Sequence, residues 1–280
     1  MASILTNSSA LTALRNLSNT QSALGKTQNQ ISTGLKVAEA ADNTTNWSVS
    51  TQMKTDNSVL STIKASMSQS AETLNTANGA LGELTKALEE MKVELAKAKN
   101  VIGGDYEAIN TSLAAIGKRI EGIVDGAENN GVNLLNGTVT GPVSLVSGWS
   151  GGTTGSGFKT IDVAITDMDA ALVSGAGAVN ALSITAATDV DTHADTVETA
   201  LKAVRDYAVE LGAAKNQITA QQTFLGVLSE SLTNTVSTLV DADMNEASTR
   251  LQALQTQQQL GVQSLSIANQ NSQMILKLFG

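Results

Sequence analysis

The stretch LSTIKASMSQSAETLNTANGALGELTKALEEMKVELAKAKNVI, residues 60–102, decides the fold. Leu60, Ile63, Met67, Ser70, Leu74, Ala77, Leu81, Leu84, Leu88, Met91, Leu95, Ala98 and Ile102 fall at alternating spacings of three and four, with only Ser70 polar. A heptad pattern sustained this long reads as a coiled coil. A helix from about Thr44 to Ile102 would run roughly 85–90 Å at 1.5 Å per residue, far beyond a helix in a compact domain. Gly103-Gly104-Asp105 is expected to stop it, with a new start at the Asp. A shorter helix with Ile109, Leu113, Ile116, Ile120 and Ile123 on one face follows, closed by Asn129-Asn130-Gly131.

The heptads return beyond the centre at Val197, Leu201, Val204, Ala208, Leu211, Lys215, Ile218, Gln222, Leu225, Ser229, Leu232, Val236 and Leu239. Each end carries a weaker version. Leu14, Leu17, Gln21, Leu24, Gln28, Ile31 and Leu35 define an N-terminal seam, and Leu251, Leu254, Gln258, Gly261, Leu265, Ala268, Ser272 and Ile275 a C-terminal one. Residues 137–157, rich in Gly, Ser and Thr and holding Pro142, break the pattern. With the runs Val139–Val146, Ile161–Ile165 and Ala181–Thr185, the section 132–192 reads as short strands and turns, a disordered insertion being the other reading. Inward from either end the chain runs arm, long heptad helix, Gly-rich centre. The fold class is therefore mainly α: a long antiparallel coiled-coil hairpin built from both ends, with a small β-rich tip.

Composition agrees. Aromatics are 2% and there is one Pro in 280 residues, so apolar burial rests on Ala, Leu, Val and Ile, and little forbids long helices. With no Cys, disulfides and thiolate metal sites are excluded. No run approaches the ~18–20 apolar residues of a membrane span, so no membrane partner is expected. The opening residues lack the layout of a secretory signal, so if the protein leaves the cell it is expected to use another route. A net charge of −9 argues against nucleic acid as partner. Residues 1–35 carry only Arg15 and Lys26, and residues 251–280 only Lys277; the 14 other cations and all 26 acids lie between, about −12 over 36–250. Helices without a charged face are either flexible polar tails or surrounded by protein on most sides. The polar seams favour the second: such arms order when other copies supply the missing surface.

The opening MASILTNSSALTALRNL, the stretch QISTGLKVAEAADN at 30–43 and the closing LVDADMNEASTRLQALQTQQQLGVQSLSIANQNSQMILKLFG at 239–280 resemble bacterial flagellin, of alphaproteobacterial type. The resemblance implies a filament subunit for swimming motility. Residues 1–42 and 240–280 would be the arms of an inner coiled-coil domain, 43–131 and 193–239 the two parts of a helical rod domain, and 132–192 a short variable outward region. It implies export through the flagellar type III apparatus, an export chaperone, and cap and hook-junction proteins as partners, with an extracellular location in the flagellum. A hook–filament junction protein with similar ends is the alternative. The self-assembly residues would be Leu14, Leu17, Leu24, Ile31, Leu35, Leu251, Leu254, Gln258, Gly261, Leu265, Ala268 and Ile275. The chain departs from the family at Gly34-Leu35-Lys36-Val37, and at Gly280, where many flagellins end in Arg. It departs also at Glu89, Glu90, Met91 and Lys92, where flagellins detected by the vertebrate innate receptor carry an Arg at the place of Glu90. A sign change at a contact is repulsive, so poor receptor activation is expected.

No catalytic, cofactor or metal residues are expected. His193 is the single His, which excludes a His-pair metal site. Asp241, Asp243 and Glu246 read as helix capping or as a cation site. Trp47 and Trp149 read as packing residues.

Overall fold

The computed structural model describes residues 7–101, 104–139, 141–149, 157–175 and 178–279, with side chains of the last helix described through residue 270. Long helices dominate: α1 (Ser8–Thr33), α2 (Thr44–Ala98), α3 (Glu107–Gly126), α5 (Ala187–Val240) and α6 (Met244–Phe279), with one short helix, α4 (Met168–Leu172). The chain forms two compact units, residues 1–55 with 231–280, and residues 56–230.

In the first unit α1 and α6 lie antiparallel. Asn7 caps α1 by accepting from the Ala10 amide (3.0 Å), and its Nδ2 donates to the Ala268 carbonyl near the far end of α6 (2.9 Å). Gly34 ends α1 in the left-handed region at φ 71°, and its amide closes on the Gln30 carbonyl. The two connections then meet. Lys36 and Val37 amides donate to the Val240 carbonyl (2.6 and 3.2 Å), the Ala242 amide donates to the Gly34 carbonyl (2.9 Å), and Leu35 bridges Asp241. Asp42 adds a contact to Lys26 (2.9 Å) and accepts from the Ala38 amide (3.1 Å). The Lys26 hydrogen bond, then that amide, hold its carboxyl below the usual range.

In the second unit α2 and α5 run antiparallel, as their cross-contacts show. Ser229 meets Asn57, Gln222 meets Ser68, Arg205 meets Glu89, Lys92 meets Glu198 and Lys99 meets Asp191. The expected α2 seam is the core: Leu60, Ile63, Met67, Leu74, Ala77, Leu81, Leu84, Leu88, Met91, Leu95 and Ala98 are all buried. Ile102 lies outside the described residues. Ser70, the polar break, lines a crevice of about 180 Å³ with Leu74 and the sheet residues Val143, Leu145 and Val163. In α5, Val197, Leu201, Val204, Leu211, Ile218 and Leu225 are buried as expected. Tyr207 and Ala214 are buried in place of Ala208 and Lys215. The shift by one residue keeps the Lys215 ammonium in water and so avoids the cost of desolvating its charge.

Two antiparallel hairpins fill part of the centre. β1 (Glu128–Asn129) pairs β2 (Val132–Asn133), and β3 (Val143–Trp149) pairs β4 (Phe158–Val163) with an irregularity between Val146 and Gly148. Asn130-Gly131, expected to end α3, instead forms the tight turn of the first hairpin, with φ 53° and 79°. That is the positive-φ pair a two-residue hairpin prefers. Asn133 is buried with both amide atoms occupied: Nδ2 donates to the Val124 and Asp125 carbonyls, and Oδ1 accepts from the Leu135 and Asn136 amides. The run Ala181–Thr185 is not a strand. Asn110 supplies what a neighbouring strand would have supplied, donating to the Ile184 carbonyl (3.0 Å) and accepting from its amide (2.8 Å). α5 begins ten residues before Val197, at Ala187, because Asp189 accepts from Thr185 Oγ1 and from the Thr185 and Ala186 amides.

Candidate self-assembly surface

The α6 seam is the expected one. Leu251, Leu254, Gln258, Gly261, Leu265 and Ala268 continue in steps of three and four from the buried Ala247, and each is half-buried. The backbone reaches Ile275, whose side chain lies outside the described residues. The α1 seam differs in phase. Leu17, Leu24 and Ile31 face α6, but the positions between them are Ala13, Thr20 and Thr27, not Leu14, Gln21 and Gln28. Leu14 is 52% exposed, so it is no part of the seam between the two arms. A Cβ at Gly261 would stand 3.3 Å from Leu17 Cδ1, so α6 has little room for a larger side chain where Leu17 packs. Thr20 and Thr27 donate their hydroxyls to their own helix, at the Asn16 and Ala23 carbonyls. A Gln there would need a partner for its amide.

The arms are far less sealed than the rod. In α2, Leu81, Leu84, Leu88 and Met91 are 0% exposed; in α1 only Ala13 and Thr27 are buried, and in the described part of α6 only Ala247. Outside the seam Leu11 and Leu14 of α1, and Leu260, Val262 and Ile267 of α6, stand 50–59% exposed. Leu11, Leu260, Val262 and Ile267 were missed by heptad reasoning. Their signal was apolarity off the seam on a helix almost free of charge. Leu35 is half-buried on the bridge to Asp241.

Asp243 caps α6, accepting from the Asn245 and Glu246 amides (2.8 and 3.3 Å), while Asp241 accepts from Ser237 Oγ and Glu246 pairs with Arg250. Each carboxylate has separate work, and no group of three metal-ligating side chains occurs among the described residues. His193 Nε2 meets the Ser183 carbonyl at 3.0 Å. Trp149 packs edge-on against Phe158 at 4.9 Å, whereas Trp47 is 38% exposed. Of the four receptor-equivalent residues, Met91 is a core residue at 0% exposure and offers no surface. Glu89 pairs with Arg205 (3.3 Å), Glu90 with Arg119 and Lys92 with Glu198, all exposed. Among the described residues no helix is long and apolar enough to cross a membrane.

Two long helices that pair antiparallel, carry few charges and keep apolar side chains in water suit a helical subunit of a structural polymer. The family comparisons agree. The model of the bacterial flagellin N-terminal helical region matches residues 4–140, and that of the C-terminal helical region residues 194–279. The chain is 43% identical to a flagellin of Brucella melitensis biotype 1, over 100% of this chain and 99% of that one. It is 33% identical to flagellin C of Rhizobium meliloti strain 1021 (100% and 99% covered) and 34% to flagellin FljK of Caulobacter vibrioides (99% and 98% covered). The chain belongs to the flagellin family, the structural subunits of the flagellar filament, an extracellular appendage. Nothing in these matches favours the hook–filament junction alternative.

Proposed function

We propose that the arms, residues 1–42 and 240–280, are the assembly device of this flagellin and form the inner tube of its filament. The observation that supports this is the contrast in burial. The rod seam is dry, whereas the arm seam is half-exposed and flanked by five exposed apolar side chains, Leu11, Leu14, Leu260, Val262 and Ile267. At about 25 cal/mol per Å² of apolar surface, a half-sealed pair offsets little of the entropy of ordering two long helices. Neighbouring copies supply the remaining burial, so the arms order on assembly. Contacts of this kind must be heterologous, because a repeated rotation that does not close generates an open helix.

In this reading residues 43–131 and 193–239 form the surrounding helical domain, and 132–192 faces outward. The subunit leaves the cell through the type III apparatus, with an export chaperone on the C-terminal arm, and adds beneath a cap protein beyond the hook-junction proteins. Deleting residues 1–42 or 240–280 is expected to leave a soluble helical monomer that forms no polymer on seeds. Filaments of ordinary diameter from either truncate would refute the arm reading. The Glu90 carboxylate, held by Arg119, sets a negative charge where receptor-activating flagellins carry a positive one. A cell reporter exposed to monomer is expected to respond weakly, and a full response would remove that reading.

A further inference from the structure

The sequence holds three Asn-Gly steps, Asn78-Gly79, Asn130-Gly131 and Asn136-Gly137. A glycine amide that follows Asn can attack the Asn side-chain carbonyl carbon, because no Cβ stands in its way. Asn78-Gly79 lies inside α2, where the Gly79 amide is committed to the helix ladder. Asn130-Gly131 is exposed in the turn of the first hairpin. Asn136-Gly137 is half-buried, so exposure alone would make it the slower of the two loop steps. Its surroundings suit the attack.

The Asn136 side-chain oxygen accepts two hydrogen bonds from one residue, from the Thr138 hydroxyl (2.6 Å) and the Thr138 amide (3.2 Å). Two donors on a carbonyl oxygen polarise it and stabilise the oxyanion that a nucleophile creates there. The Asp167 carboxylate stands against Gly137. A Cβ at Gly137 would lie 2.4 Å from Asp167 Oδ2 and 2.9 Å from Oδ1, so the carboxylate occupies the place of a side chain, beside the Gly137 amide. Several bonds fix this placement. Asp167 Oδ1 accepts from the Ala170 amide (2.9 Å) as the cap of α4, the Met168 and Asp169 amides donate to the Leu135 carbonyl (2.8 and 3.2 Å), and the Asn136 amide donates to Asn133 Oδ1 (3.2 Å). Electrophile, oxyanion donors and base thus sit on two backbone segments tied together before any chemistry, which is the source of rate gain by proximity.

We infer that Asn136-Gly137 is a self-modifying site, at which the folded chain converts Asn136 to Asp and isoaspartate faster than its other Asn-Gly steps. The Gly137 nitrogen adds to Asn136 Cγ while its proton passes to the Asp167 carboxylate, directly or through one water. The charge collected on Oδ1 is held by the two Thr138 donors. The Cγ–Nδ2 bond then breaks, and the side-chain nitrogen leaves as ammonia with the proton returned from Asp167. Water opens the resulting succinimide at either carbonyl. Asn and water are consumed, Asp or isoaspartate and ammonia are formed, and nothing is oxidised or reduced. Either product puts a carboxylate next to the residue that Asp167 contacts, where like charges repel, and isoaspartate also adds a methylene to the main chain. The change is one-way, so it accumulates with the age of the molecule. It is independent of the assembly reading above.

The test incubates the purified full chain at neutral pH in heavy-oxygen water and follows amide-to-acid conversion at each Asn-Gly step by peptide mass spectrometry. In the folded chain Asn136 is expected to convert at least about tenfold faster than the more exposed Asn130, and in urea at a similar rate to it. Asp167→Asn keeps a capping side chain for α4 and removes the base. Thr138→Val keeps the shape and removes the hydroxyl donor. Each is expected to slow Asn136 at least about tenfold with Asn130 unchanged, and Thr138→Ser to restore the wild-type rate. Thermal melting checks that the variants are folded; if Asp167→Asn is not, Thr138→Val and the urea comparison decide. A rate at Asn136 no higher than at Asn130 in the folded chain, an excess that persists in urea, or a rate that Thr138→Val leaves untouched would overturn the inference.

Discussion

Gly117 and Gly122 sit five residues apart on the same helix, α3, and their replacement by Ala is expected to move stability in opposite directions. In a helix interior Ala is favoured over Gly by about 1 kcal/mol. At Gly122 an added Cβ meets nothing within 4 Å, so only that gain acts. At Gly117 it would stand 2.2 Å from the Asn180 carbonyl oxygen, 2.7 Å from its carbon and 2.8 Å from its Cα. Those are backbone atoms and cannot rotate aside. With comfortable separations of about 3.5–4.0 Å, the segment carrying Asn180 must retreat by more than ~1 Å. That segment is pinned on both sides: the Val179 amide donates to the Leu172 carbonyl (2.8 Å) and Asn110 clamps Ile184. Overpacking of this kind costs about 1–3 kcal/mol, and each strained hydrogen bond puts about 1 kcal/mol more at risk. Gly117→Ala should therefore lower stability by about 1–3 kcal/mol net of the propensity gain, and Gly122→Ala should raise it by up to about 1 kcal/mol. Urea unfolding followed by far-UV circular dichroism reads both midpoints. If both variants shift upward, the close approach at Asn180 does not constrain the fold and the reasoning fails.

Tyr207 is buried and donates to the Leu134 carbonyl (2.9 Å), and burial pushes its phenol up to about 12. Tyr207→Phe should cost about 1–2 kcal/mol by orphaning that carbonyl, read by urea unfolding. Because the folded pKa is raised from its usual ~10, this stability is complete below pH ~10 and lost as pH climbs through about 12; the Phe variant should lack that part of the alkaline decline. Asp189 is held below the usual carboxylate range by the Thr185 hydroxyl first and then by the Thr185 and Ala186 amides. Its contribution is present above the ordinary carboxylate range and fades as pH falls through its lowered value. Asp189→Asn should fray the first turn of α5, with faster amide exchange at residues 187–190 near neutral pH; unchanged exchange would count against the cap. Replacing Gln258 and Gly261 together with Leu should change filament shape or block swimming, since Gly261 already lies close to Leu17; normal waveform in micrographs of swimming cells would remove the register role of these residues.

How much of this was legible depends on how strongly a position resists the wrong environment. The α2 seam is read directly because large apolar residues recur there without a competing phase. The α1 seam was read half correctly. Two heptad phases share Leu17, Leu24 and Ile31, and they differ only in choosing Leu14, Gln21 and Gln28 or Ala13, Thr20 and Thr27. Hydrophobicity prefers Leu14; in the folded pair Ala13 is buried and Leu14 is 52% exposed. The same ambiguity placed Ala208 and Lys215 where Tyr207 and Ala214 stand. Ala181–Thr185 has the composition of a strand, but a strand needs a partner edge, and an Asn on α3 satisfied its backbone instead. The exposed residues of the arms were hidden because periodicity finds the face that is buried within a chain. It gives no sign of a second apolar face on the same helix.

The sequence alone determined which residues form long helices, where they break and that both ends lack charge, because periodicity, glycine pairs and ionisable groups are local properties. It also carried the family, since those same ends are what its members share. The tertiary structure decided which side of each helix is buried, how completely, and what is left over. Burial depends on how near a neighbouring backbone comes, and that distance is written in no single stretch of chain. From it follow the half-open seam between Leu17 and Gly261 and the Asp167 carboxylate set against Gly137.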